Sequence, residues 1–475
     1  MGKTAGLNNS LITSGQAAKI LFMFAMGSST LILPTAVAAI AKQDSWLSFL
    51  IAGPINYLVL MIYLALNDRF PRMSLTQYAQ KLIGVWAGKA LSLTYIFFYL
   101  ILSALVLRNI SDFLGLSVLP QTPGWFINST FMIVVGYGVF LGIETIVRTG
   151  EILFTWGLII IFVVLVSLSN QFNFHNFEPI LYQGLMSPIK GSYPIIGFPI
   201  AEFVFFTSIL PLITKQGKPK LRKDLKLVIV CLTFASTVMT VFLIGVMGVS
   251  EVSRSPFSVY DMAKYINIEE IVVRVEILVA IVWIGTVFMK LVLCVYALTV
   301  TTAQVLGLNT YRPLVMPYSV IIVPLSIFIY RNVAHTKEVA AGVWTLYSSV
   351  QGILFPLILL FIAVLTGKRD SEYGIFPSPK NTDGKNAKDS PQAEQAEARK
   401  AESEAKQSER TEPEQSGEGQ TEQEQTPPKP AGGQKSGQQS AASSDSQQSP
   451  RDQSDGSPPS DMGDQSASQN GQSEG

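Results

Sequence analysis

The stretch FAMGSSTLILP, residues 24–34, interrupts the first long apolar segment of the chain and decides how the rest is interpreted. Its small or polar residues 27–30 stand where a membrane span would favour Leu and Ile. A second interruption, YPIIGFPIAE, occurs at residues 193–202. Two broken hydrophobic segments, placed to begin the two halves of a membrane domain, predict a small-solute site near the middle of the bilayer.

The composition divides the chain into two parts. Residues 1–369 hold 25 Lys and Arg against 14 Asp and Glu, whereas residues 370–475 hold 10 basic and 20 acidic residues. The first part contains apolar runs long enough to cross hydrocarbon, and these are predicted to be helices because backbone groups in lipid must be satisfied within the segment. The second part is rich in Gln, Ser, Glu and Pro and is predicted to be a disordered, acidic cytoplasmic tail.

The apolar runs predict an all-α integral membrane protein with ten transmembrane helices. They lie near residues 17–41, 44–66, 90–111, 125–143, 150–169, 192–213, 225–248, 270–304, 313–330 and 340–366. With the N-terminus inside, 16 basic residues flank the inner ends and 6 flank the outer ends, so the positive-inside rule places both termini in the cytoplasm. The first segment resembles a signal peptide superficially, but we expect it to be retained as a helix because nine spans follow.

The sequence patterns of cofactor and metal sites are missing from this chain. Cys231 and Cys294 stand alone within predicted spans, and no paired-cysteine, His-Glu-x-x-His or phosphate-loop motif occurs. Metal, haem and nucleotide chemistry are therefore unsupported. We expect no cofactor, no enzymatic activity and no nucleic-acid partner, and we expect the lipid bilayer to surround residues 1–369.

The first interruption has the composition of an unwound helix. Gly27, Ser28, Ser29 and Thr30 lie about ten residues into the first helix, near the bilayer midplane at about 1.5 Å of rise per residue. Glycine permits an unwound backbone, and the hydroxyls can partner the freed amides. The N–H groups that begin the next half-helix suit a carboxylate. Close packing of helices through small residues is the competing interpretation.

The second interruption combines helix breakers with a charge. Pro194, Gly197 and Pro199 cannot all lie in a regular helix without loss of hydrogen bonds. Glu202 follows in an otherwise apolar segment, where an ionisable side chain is functional by default. It could accept hydrogen bonds from the amine of a ligand, stabilise the break or carry a proton. It could also be a structural carboxyl that satisfies loose amides beside the break.

Polar side chains in the eighth and third segments complete the candidate site. Glu276, Trp283 and Lys290 recur every seven residues and share one helix face, and Thr286 lies one turn from Lys290. We expect Lys290 to point inward, where its ammonium could take the place of a coupling cation. A lysine that snorkels or pairs with a carboxylate is the alternative. In the third segment Tyr99 could close a pocket or simply be packed.

The order of these motifs resembles that of the permease-like B subunit of endospore germinant receptors, a family within the amino acid-polyamine-organocation transporter superfamily. The motifs are Gly27…Pro34, Pro194…Gly197-Phe198…Glu202 and Arg274-x-Glu276…Trp283…Phe288-x-Lys290. The resemblance covers about residues 10–368 and says nothing about the tail.

The resemblance implies a LeuT-like fold, a five-plus-five inverted repeat with broken helices 1 and 6. It implies a subunit that senses an amino acid or similar small germinant in the spore inner membrane, together with A and C subunits. The implied ligand site is formed by Gly27, Ser28, Ser29, Thr30, Gly197, Phe198 and Glu202, with Tyr99 and Thr286 as neighbours. A secondary transporter for amino acids, coupled to protons through Glu202 or Lys290, remains the alternative.

Overall fold

The predicted spans form helices throughout the computed structural model, which describes residues 12–27, 29–213, 218–266, 275–330 and 339–369. These residues contain no strand beyond a single bridge between Ile12 and Ile213. The tail, residues 370–475, lies outside the described residues, as do Ser28 and Arg274. Its predicted disorder therefore stays a prediction.

Fourteen α-helices are present in the described residues. The first seven are α1 (Ser14–Met26), α2 (Ser29–Ala41), α3 (Ser45–Arg69), α4 (Leu75–Ile83), α5 (Val85–Phe113), α6 (Gly124–Leu141) and α7 (Ile143–Ser167). The others are α8 (Met186–Ile195), α9 (Lys218–Arg254), α10 (Ser258–Ala263), α11 (Glu276–Leu306), α12 (Val315–Phe328), α13 (Thr345–Ser349) and α14 (Phe355–Leu365).

Three of the predicted spans are not single regular helices. The first span consists of α1 and α2, separated at Gly27. The sixth span continues from α8 through a wide turn, Ile196–Ile200, into a tight helix, Ala201–Ser208. The tenth span joins the wide turns Ala340–Trp344 and Val350–Leu354 to α13 and α14.

Eight helical segments of the described residues are long and apolar enough to cross a membrane by length and composition. They are Ile32–Arg69, Val85–Val118, Gly124–Leu141, Ile143–Gln171, Met186–Ser208, Lys220–Arg254, Glu276–Leu306 and Gly342–Leu365. Eight is fewer than the ten predicted spans because two of those spans contain helices that are too short to be counted. The break leaves α1 too short, Ile32–Arg69 joins the end of the first span to the second, and the apolar helix Arg312–Phe328 is also short.

The core of the membrane domain is built around α11. This helix packs against α1, α5, α6 and α7. Every residue from Met289 to Ala303 is buried, so this part of the helix has no face turned to lipid. Such a helix is normally apolar all round. Lys290 lies at the start of this stretch, where its ammonium cannot reach water by snorkelling and must be satisfied inside the protein.

Candidate functional site

The first break is centred on Gly27. The helix α1 ends at Met26, Gly27 has φ −48° and ψ −118°, and α2 begins at Ser29. A β-carbon on Gly27 would lie 2.9 Å from both Cβ and Cδ of Lys290. The absence of a side chain at this position therefore allows Lys290 to pass directly against the break.

The hydroxyls that follow the break stabilise the end of α1. Ser29 Oγ donates to the carbonyl of Ala25, and Thr30 Oγ1 donates to the carbonyls of Met26 at 2.7 Å and Gly27 at 3.1 Å. The last carbonyls of a helix have no intrahelical amide partner. The sequence predicted that these hydroxyls would partner freed amides. The hydrogen bonds observed for both side chains run to carbonyls instead, because the chain re-enters a helix immediately after the break.

The second break changes the course of the sixth span at Phe198. This residue has φ −147° and ψ 106°, which lies outside the helical region. Pro194 and Pro199 flank it, and neither can donate a backbone hydrogen bond. The freed carbonyl of Gly197 accepts a hydrogen bond of 2.8 Å from Ser348 Oγ in the tenth span. A side-chain hydroxyl from a neighbouring span thus replaces a backbone hydrogen bond that a regular helix would have made.

A fully buried ion pair lies between the two breaks. Lys290 Nζ is 2.6 Å from Glu202 Oε2, and both side chains are completely enclosed. The other carboxylate oxygen, Oε1, accepts a 2.8 Å hydrogen bond from Trp344 Nε1. The carboxylate therefore has a charged partner and a neutral partner, which reduces the cost of holding it away from water.

Aromatic rings complete the surroundings of the ammonium. Lys290 Nζ lies 4.9 Å from the ring centroid of Phe24 and 4.3 Å from that of Phe198, distances at which a cation is attracted to the ring face. Phe24 is itself stacked on Phe205, with ring centroids 3.8 Å apart. Glu202, Phe24 and Phe198 thus form a cage for an ammonium group, called here the ammonium cage.

The structure gathers some predicted site residues and separates others. Gly27, Phe198, Glu202 and Lys290 meet at the ammonium cage. Tyr99 is buried beside Thr207 and Ser208, in the part of the sixth span that follows the cage. Gly197 packs on Thr345 of the tenth span. Ser28 lies outside the described residues. The other predicted site residues, Ser29, Thr30 and Thr286, line a separate cavity.

Two voids adjoin the breaks, and they differ greatly in size. One of about 10 Å³, room for roughly one water molecule, lies beside Glu202 and Trp344 and is also lined by Asn109 and Tyr330. The other, of about 380 Å³, lies between α1, α3, α7 and α9. Within the described part of the chain, no group of three His, Cys, Asp or Glu side chains could hold a metal ion.

Sequence reasoning missed Trp344 and Phe24, which both contact the buried pair. Trp344 stands alone in the tenth span, and Phe24 is one of many apolar residues in α1. A single tryptophan within an apolar span gives no periodic signal. A search for a donor able to satisfy Glu202 would have included it, since a buried indole N–H usually has a partner.

Replacing Trp344 by phenylalanine is expected to lower the free energy of unfolding by about 1–3 kcal/mol, because one oxygen of a buried carboxylate loses its donor. The phenyl ring keeps much of the stacking on Phe98, whose ring is 5.5 Å from that of Trp344. The matched control is Trp156→Phe on α7, whose indole is 62% exposed. Equal losses in the two variants, measured by chemical unfolding in detergent, would argue against a role for the Trp344 N–H.

Comparisons with known proteins agree on one family and one fold. A family model described as spore germination protein matches residues 11–334. Spore germination protein KB of Bacillus subtilis (strain 168) is 29% identical over 355 residues, which cover 74% of this chain and 94% of that protein. Spore germination protein A2 of the same organism is 24% identical over 351 residues, which cover 72% and 92%.

Among solved structures, the crystal structure of MhsT in complex with L-phenylalanine has a TM-score of 0.52 to this chain. The alignment covers 74% of this chain and 98% of MhsT at 12% sequence identity. At such low identity the similarity shows the fold alone. It confirms the predicted LeuT-like architecture with interrupted first and sixth helices.

Proposed function

Because this chain belongs to the spore germination protein family, we propose that it is the nutrient-sensing subunit of a germinant receptor and binds a small amine-bearing germinant, such as an amino acid, between the two broken helices. Members of this family are permease-like, multi-pass membrane proteins rather than members of an enzyme family. Sensing by such a protein needs a site and two conformations, and no covalent chemistry.

The ammonium cage is the observation that carries this proposal. It holds a primary ammonium with one carboxylate and two aromatic rings, and an amino acid presents the same group. The start of α2 supplies N–H groups that a regular helix leaves without internal partners, and these suit the carboxylate of such a ligand. MhsT, which shares the fold, has been crystallised with L-phenylalanine, and this also favours an amino acid.

The arrangement of Lys290 links ligand binding to a change in conformation. The void beside Glu202 is about 10 Å³, which is too small for an amino acid. A ligand ammonium that pairs with Glu202 must therefore displace Lys290 from the cage, and Lys290 is carried by the central helix α11. A ligand that binds the displaced state better shifts the population toward it. We propose that this shift is the signal.

The family resemblance and the charge pattern support two further proposals, on the partner subunits and on the orientation of the chain. We propose that the A and C subunits of the germinant receptor read the shift in the spore inner membrane. We further propose that both termini lie in the cytoplasm, as the excess of basic residues at the inner flanks predicts.

The proposal is tested by thermal unfolding of the purified full-length protein with a panel of amino acids, nucleosides and sugars. An amine-bearing compound at about a hundred times its dissociation constant is expected to stabilise the protein by about 2.7 kcal/mol. Glu202→Gln should abolish this response. Glu151→Gln, which changes a partly exposed carboxylate paired with Lys19, should keep it.

Two results would contradict the proposal. One is an unchanged ligand response in Glu202→Gln, which would remove the carboxylate from the site. The other is stabilisation only by compounds that lack an amine, which would mean that the ammonium cage does not recognise the ligand.

A proton-coupled amino acid transporter is the second candidate function, favoured by the burial of the Glu202–Lys290 pair in a transporter fold. Protonation of Glu202 would remove the charge that holds Lys290 and so link proton binding to the same rearrangement. Uptake into proteoliposomes distinguishes the two functions. Steady accumulation of an amino acid driven by a pH gradient, without any partner subunit, would establish transport, and its absence in a ligand-responsive preparation would favour the receptor.

A further inference from the structure

The cavity of about 380 Å³ is separate from the ammonium cage and lies between α1, α3, α7 and α9. Its inner end is formed by buried residues that include Ala25, Asn56 and Trp283. Its outer end is lined by Phe162 of α7 and Phe234 of α9, each 68% exposed. The cavity thus extends from the interior of the membrane domain to its surface.

The outer end of the cavity opens toward lipid. The helices α7 and α9 both pack on α1, but in the described residues they make hardly any contact with each other. The exposed side chains that line the cavity here are apolar, among them Leu158 and Phe162 of α7 and Phe234 of α9. In a membrane such a surface faces acyl chains. The gap between α7 and α9 therefore connects the cavity with the hydrocarbon layer.

The inner end of the cavity carries an amide oxygen without a hydrogen-bond partner among the described residues. Asn56 is 3% exposed, and its Oδ1 has no hydrogen-bond partner among the described residues. The hydroxyls of Thr30 and Thr286, which also line the cavity, already donate to backbone carbonyls. A buried acceptor without a partner costs free energy that a ligand donor would recover.

The lining also limits which ligands can bind. None of the described residues that line the cavity carries a charge. Moving a zwitterion into such surroundings is costly, so the amino acid proposed for the ammonium cage is a poor occupant. The acyl chain of a bilayer lipid would fit the apolar walls but would leave Asn56 unsatisfied. The volume lies within the range of about 300–1,000 Å³ typical of small-molecule sites.

We propose that this cavity is a binding site for an uncharged amphiphile that enters from the bilayer between α7 and α9. Its apolar body lies along the cavity, and a hydroxyl or amide N–H donates a hydrogen bond to Asn56 Oδ1. The site does not depend on the germinant site. It adjoins the first break through Ser29 and Thr30, so an occupant contacts the same interrupted span from another side.

The test uses a photoreactive diazirine analogue of octanol and the full-length protein in phosphatidylcholine nanodiscs, with labelled residues identified by mass spectrometry. Labelling is expected to concentrate on α7 and α9 at the cavity, near Phe162 and Phe234. Excess octanol should protect these positions, whereas octane, which has no donor, should protect them about fivefold to tenfold less strongly. Labelling spread evenly over lipid-facing side chains of all helices would overturn the proposal, as would equal protection by octane.

Two variants and one control sharpen the test. Asn56→Leu keeps the size but removes the acceptor, and is expected to weaken protection by octanol about fivefold to tenfold. Asn128→Leu removes another buried asparagine on α6, away from the cavity, and should leave protection unchanged. Ala235→Phe places a ring at the cavity and should abolish the focused labelling in protein that elutes as a single species. Unchanged protection in Asn56→Leu, or unchanged labelling in folded Ala235→Phe, would contradict the assignment.

Discussion

Replacing Glu202 by leucine is expected to lower the free energy of unfolding by about 3–5 kcal/mol, the range observed when one partner of a buried ion pair is removed. The ammonium of Lys290 would then stand in the interior with two aromatic rings and no carboxylate. Because α11 is buried all round at this point, the side chain cannot relax into water. The unfolding of purified protein in mixed micelles with increasing SDS measures the loss.

The double variant Glu202→Leu/Lys290→Met tests whether the loss of stability comes from breaking the ion pair. Lys290→Met alone is also expected to be destabilising, since it leaves the Glu202 carboxylate with the Trp344 N–H as its remaining described donor. In Glu202→Leu/Lys290→Met both charges are gone, and exchanging a buried pair for apolar side chains is often neutral or stabilising. We therefore expect the double variant to be more stable than either single variant and to unfold within about 1–3 kcal/mol of the wild type, the remaining loss coming from the Trp344 N–H, which no longer has the Glu202 acceptor. Losses that simply add would contradict a coupled pair.

The positions of the breaks could be predicted from the sequence because their signals are local. The cluster of small and hydroxyl residues around Gly27 and the prolines around Phe198 are read directly from neighbouring positions. The structure places non-helical backbone at both points. Likewise, apolar runs of membrane length predicted the course of the helices, since hydrocarbon leaves the backbone few other choices.

The contacts of the candidate site could not be predicted in the same way, because they join distant parts of the chain. Glu202 lies 88 positions from Lys290 and 142 from Trp344, and which helix faces meet depends on rotations that one sequence does not determine. The alternatives for Lys290 stayed open because the helix face that it shares with Glu276 and Trp283 does not show which other helix lies against it. Tyr99 shows the same difficulty, since its burial beside Thr207 and Ser208 depends on the path of the broken sixth span.

Replacing Gly352 by alanine is expected to destabilise the protein by about 3 kcal/mol, at the upper end of the range for overpacked interiors. A β-carbon at this position would collide with the backbone carbonyl of Ala201, the residue that precedes Glu202. The carbonyl of Gly352 also accepts a 2.5 Å hydrogen bond from the Tyr63 hydroxyl, which limits how far the tenth span can move away. Neither backbone can yield as a flexible side chain would, so the change should also disturb the carboxylate of Glu202.

The tenth span offers its own control in Gly342, where an added β-carbon would have no described atom of another part of the fold within 4 Å. Gly342→Ala is expected to be neutral, or to stabilise by up to about 1 kcal/mol through a less flexible unfolded chain. The two variants make the same chemical change in one span, and so a difference in their unfolding midpoints reports the close approach at Ala201. In Gly352→Ala, ligand-induced stabilisation should be lost together with the stability, because the Glu202 carboxylate moves with the displaced backbone. Similar behaviour of the two variants would show that the broken sixth span is not held by this backbone contact.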